Sequence, residues 1–191
     1  GRIQLGGVVG VRLIKELKGE PSREFEEERV VKKMIASTRM FGSPVSTIQD
    51  IKEAVATYTS RAAEKLRRQY GAAGVISVFV VPKELNQPAG FSRGTAVSSY
   101  ITLPVATSFT HELIKPALQL VDRLFEKGRT YKKAGVILSG IVPDISIQAN
   151  LFMPTNNNSE RKLMDMVDNI NFSHRDDILK FAASGTKRNW K

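Results

Sequence analysis

The stretch from Ser46 to Tyr70 constrains the fold most, because its apolar residues repeat at the spacing of a helix. Ser46 and Gln49 fit a capping box at its start, and Gly71 follows its end. The apolar residues that recur at three- and four-residue steps are Ile48, Ile51, Val55, Tyr58, Ala62 and Leu66. A single stripe of this kind predicts a helix that covers one face of a partner element.

Strand-like segments and a second helix surround this stretch. Strands are predicted at 30–41, 74–82, 92–103 and 131–141. A second helix is predicted at 108–127, with Pro116 inside it and Gly128 after its end. The resulting order predicts an α+β fold of the split βαβ (βαββαβ) type. In that fold a four-stranded antiparallel sheet carries both helices on one face.

The two ends of the chain give weaker patterns. Residues 8–18 predict the end of a helix, which Gly19 and Pro21 terminate. Residues 143–158 predict a linker, because they contain two prolines and three consecutive asparagines. A short helix is predicted at 159–170, and the tail up to Lys191 is ambiguous. The apolar residues of that short helix are Leu163, Met166, Val167 and Ile170.

The positive charge of the chain is concentrated in its middle. The formal net charge is +10, and residues 28–142 hold seventeen Lys and Arg against eight Asp and Glu, a net of +9. A concentrated basic field favours a polyanionic partner, most simply a nucleic acid. Charge alone fits a purely solubilising role equally well.

The sequence contains no Cys, which excludes disulfides, thiolate metal sites and Cys nucleophiles. A chain without Cys fits the cytoplasm, and this location is our prediction. No apolar run approaches the length of about eighteen residues that a membrane span needs, and no signal peptide is recognisable at the start. We therefore predict no membrane partner. The chain begins at Gly1 without Met, so we predict a fragment or a processed product.

Polar and basic residues occur along the predicted strands, and they are candidates for contacts with nucleic acid. Hydroxyl, lysine and arginine groups all suit phosphate oxygens, and Gly94 would allow close approach of the backbone. Since both helices cover one face, the other face must meet water or a partner. Lysines at strand ends can instead simply protect a sheet edge. The candidates are Lys33, Ser37, Arg39, Arg93, Thr95, Lys132 and Lys133.

Residues for enzyme chemistry are hard to find. His111 and His174 have no second His or Cys at the spacing of metal ligands, so each is predicted to be a surface or helix residue. Phosphate-binding glycine loops and hydrolase motifs do not occur. Arg67 and Arg68, at a helix end, are predicted to complement the helix dipole. The residues therefore predict no catalytic site, no metal site and no cofactor in this chain.

Four stretches of the chain carry a family resemblance: "VRLIKELKGEP" at 11–21, "ASTRMFG" at 36–42, "SRGT" at 92–95 and "YKKAGVILSG" at 131–140. They resemble the Y-family translesion DNA polymerases of the UmuC type. The first stretch is similar to the exit from the family's thumb domain, and the other three are similar to strands of its little finger domain. The resemblance implies four parts: a thumb-exit helix and linker, a DNA-binding little finger, a clamp-binding linker, and a C-terminal region that is partly folded or truncated. Their bounds are 1–27, 28–142, 143–158 and 159–191.

The resemblance also implies a function. The parent protein would be a DNA-directed DNA polymerase whose palm carboxylates bind Mg²⁺, and none of that palm lies in this chain. The chain would be a non-catalytic fragment without a cofactor, acting in SOS-type lesion bypass and DNA repair. Its little finger would contact phosphates of both strands of duplex primer-template DNA.

The motif "QANLF" at 148–152 lies where UmuC-type proteins carry a sliding-clamp-binding peptide. The resemblance implies that Leu151 and Phe152 enter an apolar cleft of the clamp and that Gln148 hydrogen-bonds at its rim. Ala149 departs from the family preference for Leu, which should weaken binding. Alternatively, the apolar pair folds back onto the sheet. A second candidate function is a protein–protein scaffold whose sheet face binds an accessory subunit of the UmuD type.

Overall fold

The computed structural model describes residues 7–20, 32–83, 95–144, 157–174, 177–186 and 190. The chain divides into two compact units, Gly1–Val31 and Lys32–Lys191. In the first unit a helix, α1, spans Val8–Leu17 and agrees with the predicted helix at 8–18. None of the helices in these described ranges is both long enough and apolar enough to cross a membrane.

The second unit is an α+β domain with one sheet, as predicted. Its elements are β1 (Ile35–Val45), α2 (Ile48–Arg67), β2 (Gly71–Pro82), β3 (Val97–Thr107), α3 (Thr110–Leu124), β4 (Tyr131–Pro143) and α4 (Asn157–Ser173). The four strands are arranged in the order β1-β4-β2-β3, and every neighbouring pair is antiparallel. Since β4 lies between β1 and β2, the arrangement is the split βαβ type.

The core lies between the sheet and the pair α2 and α3, which confirms that both helices cover the same face. Every second residue of the two central strands points into it. These inward residues are Ile76, Val78 and Val80 of β2 and Ala134, Val136 and Leu138 of β4. From the helices, the buried apolar residues include Ile51, Val55, Tyr58, Leu66, Leu113, Leu120 and Val121. The other face of the sheet receives neither helix.

Three sequence-based details need correction. The cap of α2 is Thr47, whose Oγ1 accepts a hydrogen bond from the Asp50 backbone N–H at 3.2 Å, so the capping box predicted at Ser46 and Gln49 is wrong by one residue. β1 runs on to Val45, whereas the predicted strand ends at Phe41. β3 continues through Pro104 instead of ending there. Pro104 is tolerated because β3 is an outer strand and because its pairing with β2 shifts register between Thr102 and Thr107.

Helix α4 is longer than the predicted helix at 159–170, and it buries a different side. Leu163, Met166 and Ile170, which the sequence pattern selected, are exposed, whereas Met164 is buried. An ion pair between Asp168 and Arg67 of α2 fixes which side of α4 faces the domain. The apolar pattern was therefore the wrong guide to the orientation of this helix.

Candidate nucleic-acid interface

The face of the sheet opposite α2 and α3, here called the open face, carries hydroxyl, aromatic and lysine side chains. Strand pairing arranges them in rows, because residues that pair across strands lie side by side. One row runs through Thr38, Gly135, Phe79 and Ser98, and a second runs through Ala36, Ile137, Ser77 and Tyr100. A third row contains Met40, Lys133 and Val81. Tyr100 has an exposed fraction of 67%.

A glycine at the centre of the open face allows its neighbours to pack closely. A Cβ atom on Gly135 would lie 2.5 Å from Cε1 of Phe79 and 2.6 Å from Cγ2 of Thr38. The Phe79 ring therefore occupies the space above Gly135. The ammonium nitrogen of Lys133 lies 5.7 Å from the centroid of this ring, within the range of a cation–π contact. The contact favours a position of the lysine charge over the open face.

Six cations among the described residues lie at one end of the sheet. β1 and β2 end there, β4 begins there, and the backbone N–H of Lys83 donates to the Thr130 carbonyl at 2.8 Å. Glu126 belongs to the same end and pairs with Arg129 at 2.8 Å. We call this region the basic end, defined by Arg39, Lys83, Lys127, Arg129, Lys132 and Lys133.

The structure separates the residues that the sequence proposed as one surface. Lys132 and Lys133 begin β4 at the basic end, and Thr95 lies there too, two residues before β3. Arg39 pairs with Ala134 near the same end. Lys33 lies at the opposite end, two residues before β1. Their contacts with DNA stay a prediction.

Ser37 and Arg39 do not belong to the open face. Residues two apart in a strand point to the same face, and Ser37 and Arg39 fall between Ile35 and Phe41 at this spacing. Ile35 and Phe41 are buried in the core, so Ser37 and Arg39 lie on the helix side of the outer strand β1. Arg39 is nevertheless exposed, because β1 is an edge strand. Four predicted residues lie outside the described part of the chain: Arg93, Gln148, Leu151 and Phe152.

Sequence analysis missed Met40, Phe79 and Tyr100, which the structure brings to the open face. The signal that could have found them is the alternation of side chains, counted from a residue known to be in the core. In β2 that alternation is hidden, because "VISVFVV" is apolar at both inward and outward positions. Among the residues that the structure describes, no three His, Asp or Glu side chains form a group that could hold a metal ion.

Comparison with known proteins gives matches along most of the chain. Residues 32–151 match the model of the impB/mucB/samB family C-terminal domain. Residues 161–191 match a second model, described as Domain of unknown function (DUF4113). The chain is 35% identical to protein UmuC of Salmonella typhimurium over 189 residues, which is 96% of this chain and 43% of UmuC. Protein SamB of the same organism is 34% identical over 188 residues, 96% of this chain and 43% of SamB.

Solved structures with a similar fold include the post-insertion binary complex of Dbh DNA polymerase. The two align with a TM-score of 0.46 and 17% identity, over 74% of this chain and 39% of that one. A complex of the beta-clamp processivity factor and the little finger domain of PolIV aligns with a TM-score of 0.42 and 11% identity. That alignment covers 63% of this chain and 99% of the other.

The family model and the similarity to UmuC define the class of protein: an α+β domain of the kind found at the C-terminal side of UmuC-like proteins. The chain belongs to the impB/mucB/samB family, and residues 32–151 are its C-terminal domain. The resemblance to UmuC-type polymerases that the sequence predicted is thereby confirmed. The chain spans 43% of the length of the UmuC and SamB relatives.

Proposed function

We propose that this chain is the part of a translesion DNA polymerase that holds duplex DNA and docks on the sliding clamp. The observation that carries the proposal is a sheet face that receives neither α2 nor α3 and has a basic end beside it, in a chain that belongs to the impB/mucB/samB family. A duplex would lie against the open face with its phosphates at the basic end. The location would be the cytoplasm, and the process would be lesion bypass within DNA repair.

The dimensions and chemistry of the open face suit a duplex. Three spacings between four neighbouring strands give a width of about 15 Å, comparable with a major groove of about 12 Å. Lys133 would supply a positive charge, and the hydroxyls of Thr38, Ser77 and Ser98 would donate to phosphate oxygens. Contacts to phosphates carry no sequence information. This suits a polymerase subdomain that must hold any template.

The chain would perform no nucleotidyl transfer. In the proposal the Mg²⁺ ions of the reaction belong to the palm of the parent polymerase, and this chain contributes only DNA and clamp contacts. Primer extension assayed with the purified chain, Mg²⁺ and nucleotides should give no product. Extension that persists after further purification would overturn this part of the proposal.

Docking on the clamp would use the "QANLF" segment. Leu151 and Phe152 are two large apolar residues between Pro143 and Pro154, in a stretch whose composition is otherwise that of a loop. They would fill an apolar cleft, and Gln148 would bond at its rim. Support comes from the sequence pattern and from membership of the family.

A second candidate function is protein docking on the open face, for instance by an accessory subunit of the UmuD type. The observation that favours it is the exposure of Met40 and Tyr100 on that face. Salt separates the two functions, because phosphate contacts release counterions and apolar contacts do not. Titration of the chain with duplex DNA between about 50 and 200 mM salt should show affinity falling by more than tenfold. A shallow dependence, or no binding at low salt, would contradict the DNA function.

A further inference from the structure

The segment that matches a domain of unknown function is joined to α2 by charged side chains. Arg67 donates from Nε to Oδ2 of Asp168 and from Nη2 to Oδ1, each at 2.7 Å. Nη1 of the same arginine donates to the Ser108 carbonyl at 2.6 Å and to Oγ1 of Thr110 at 3.0 Å. Arg67 thus links α4 to the start of α3. Its side chain is only 9% exposed, so the fork is largely withdrawn from water.

Further along, the segment follows α2 back toward the start of that helix. Nη2 of Arg61 donates to Oδ2 of Asp177 at 3.0 Å. Gly185 has a φ of +66° and lies against Glu53, whose carboxylate would collide with any Cβ at that position. As the segment proceeds from Asp168 to Gly185, its partners on α2 move from residue 67 to residue 53. The segment therefore runs antiparallel to α2 for most of its length.

The path ends in the core, at the single tryptophan of the chain. Trp190 is 2% exposed, and its ring makes edge contacts with Tyr58 of α2 and Phe41 of β1, at centroid distances of 5.7 and 6.4 Å. The Gly42 backbone N–H donates to the Trp190 carbonyl at 3.3 Å. Gly42 lies where the pairing of β1 with β4 shifts register, between Met40 and Val45. Trp190 therefore joins the edge strand to α2 at the point where the edge strand's own pairing is irregular.

We propose that the described residues of this segment, 157–174, 177–186 and 190, form an intramolecular strap that completes the core and braces β1 against α2, instead of folding as a separate domain. Chains shorter than about 40 residues usually need disulfides, metals or assembly in order to fold, and this segment is shorter than that. The chain has no Cys. The strap also buries its largest side chain, Trp190, in the core of the sheet domain, so it shares that core instead of building its own.

The strap has a consequence for the basic end. Arg39 and Met40 immediately precede the braced residues Phe41 and Gly42, and Met40 pairs with Lys133. Holding β1 at this point therefore fixes the spacing between Arg39 of β1 and Lys133 of β4, two cations of the basic end. This consequence, unlike the strap itself, rests on the proposed function. If the unsubstituted chain does not bind DNA, this consequence for the basic end no longer holds, whereas the strap does not depend on that result.

Trp190 reports directly on the strap, because no other tryptophan contributes to the fluorescence. In the full chain, the double variant Asp168→Asn/Asp177→Asn should shift Trp190 emission toward that of solvated tryptophan and speed amide exchange at Gly42. The far-ultraviolet circular dichroism of the sheet and helices should persist. Glu126→Gln, which removes an exposed ion pair away from the strap, is the matched control and should change neither signal. Unchanged emission and unchanged Gly42 exchange in the double variant would overturn the charged part of the strap.

The anchor is tested by the thermal midpoint. Trp190→Ala should lower the midpoint of the whole domain by about 10 °C, because a buried aromatic side chain is lost. Trp190→Phe, which keeps an aromatic ring in the same seat, should recover about half of that shift. If Trp190→Ala does not fold, the Phe variant decides. Two results together would overturn the strap. Trp190→Phe would have the same thermal midpoint as the unsubstituted chain, and Trp190 of the unsubstituted chain would emit like a tryptophan in water.

Discussion

The two faces of the sheet differ in how far their large side chains are buried. On the helix side, the large apolar residues of the central strands are buried or half-buried, and the Trp190 ring contacts Phe41 and Tyr58. On the open face, Met40 and Tyr100 are exposed, and Lys133 lies over an aromatic ring. One face is therefore completed within the chain, by helices and strap. The other keeps large side chains exposed in the part of the chain that the structure describes.

Two neighbouring residues of β4 test this difference most strongly, because they point to opposite faces. Leu138 is buried in the core, whereas Ile137 belongs to the open face. Leu138→Ala should lower the free energy of unfolding by about 3 kcal/mol, and Ile137→Ala by about 1 kcal/mol or less. Urea denaturation of both variants measures the two losses. Equal losses would mean that the open face is packed as tightly as the core.

Two neighbouring arginines at the end of α2, the last helical residue Arg67 and the cap residue Arg68, sharpen the comparison on the helix side. Arg67 forms the nearly buried fork with Asp168, whereas Arg68 is 53% exposed, pairs with Glu64 and lies over the Phe172 ring. Arg67→Ala should cost about 3 kcal/mol of stability, since it leaves a partly buried carboxylate without its partner. Arg68→Ala should cost less than about 1 kcal/mol. Similar values for both would show that the fork adds no more than a surface ion pair.

The clamp segment should behave like the open face and unlike the core. Leu151→Ala or Phe152→Ala should each weaken clamp affinity by about 2 kcal/mol, because peptide anchors concentrate binding energy. Gln148→Ala should cost roughly 1 kcal/mol, the net value of one hydrogen bond. Ala149→Leu should tighten binding by restoring an apolar contact. Titration with the clamp gives these values.

Stability measured on the same Phe152→Ala sample is the control for the clamp prediction. An anchor that waits for a partner adds little to folding, so the thermal midpoint should not move. A large loss of stability with unchanged clamp affinity would place Leu151 and Phe152 among the core residues instead.

The sequence predicts well those features that arise from local patterns. The helix α2 and the order of strands follow from spacing within short windows, and the structure confirms both. The cap was predicted one residue too early, because Ser46 and Thr47 are both good capping residues and only the backbone geometry decides between them.

Contacts between residues that are far apart in the chain could not be predicted from the sequence. Arg67 was assigned to the helix dipole, and its fork with Asp168 spans 101 residues of chain. No periodicity marks such a pair. The tail looked ambiguous for the same reason, since Trp190 gains its role only from Phe41 and Tyr58. The prediction that Ser37 and Arg39 contact DNA rests on residue type alone. The sequence does not show which strand residue is in the core, so it does not show to which face of the sheet each side chain points.

The central claim is that the open face with its basic end holds DNA, and the salt dependence of duplex binding tests it most directly. Lys132→Ala/Lys133→Ala should weaken binding to all duplex sequences alike and reduce the slope of log affinity against log salt by about two. Lys65→Ala/Lys115→Ala removes the same charge from exposed positions on α2 and α3 and should leave the slope unchanged. Equal effects of the two double variants, or an unchanged slope in Lys132→Ala/Lys133→Ala, would contradict the account.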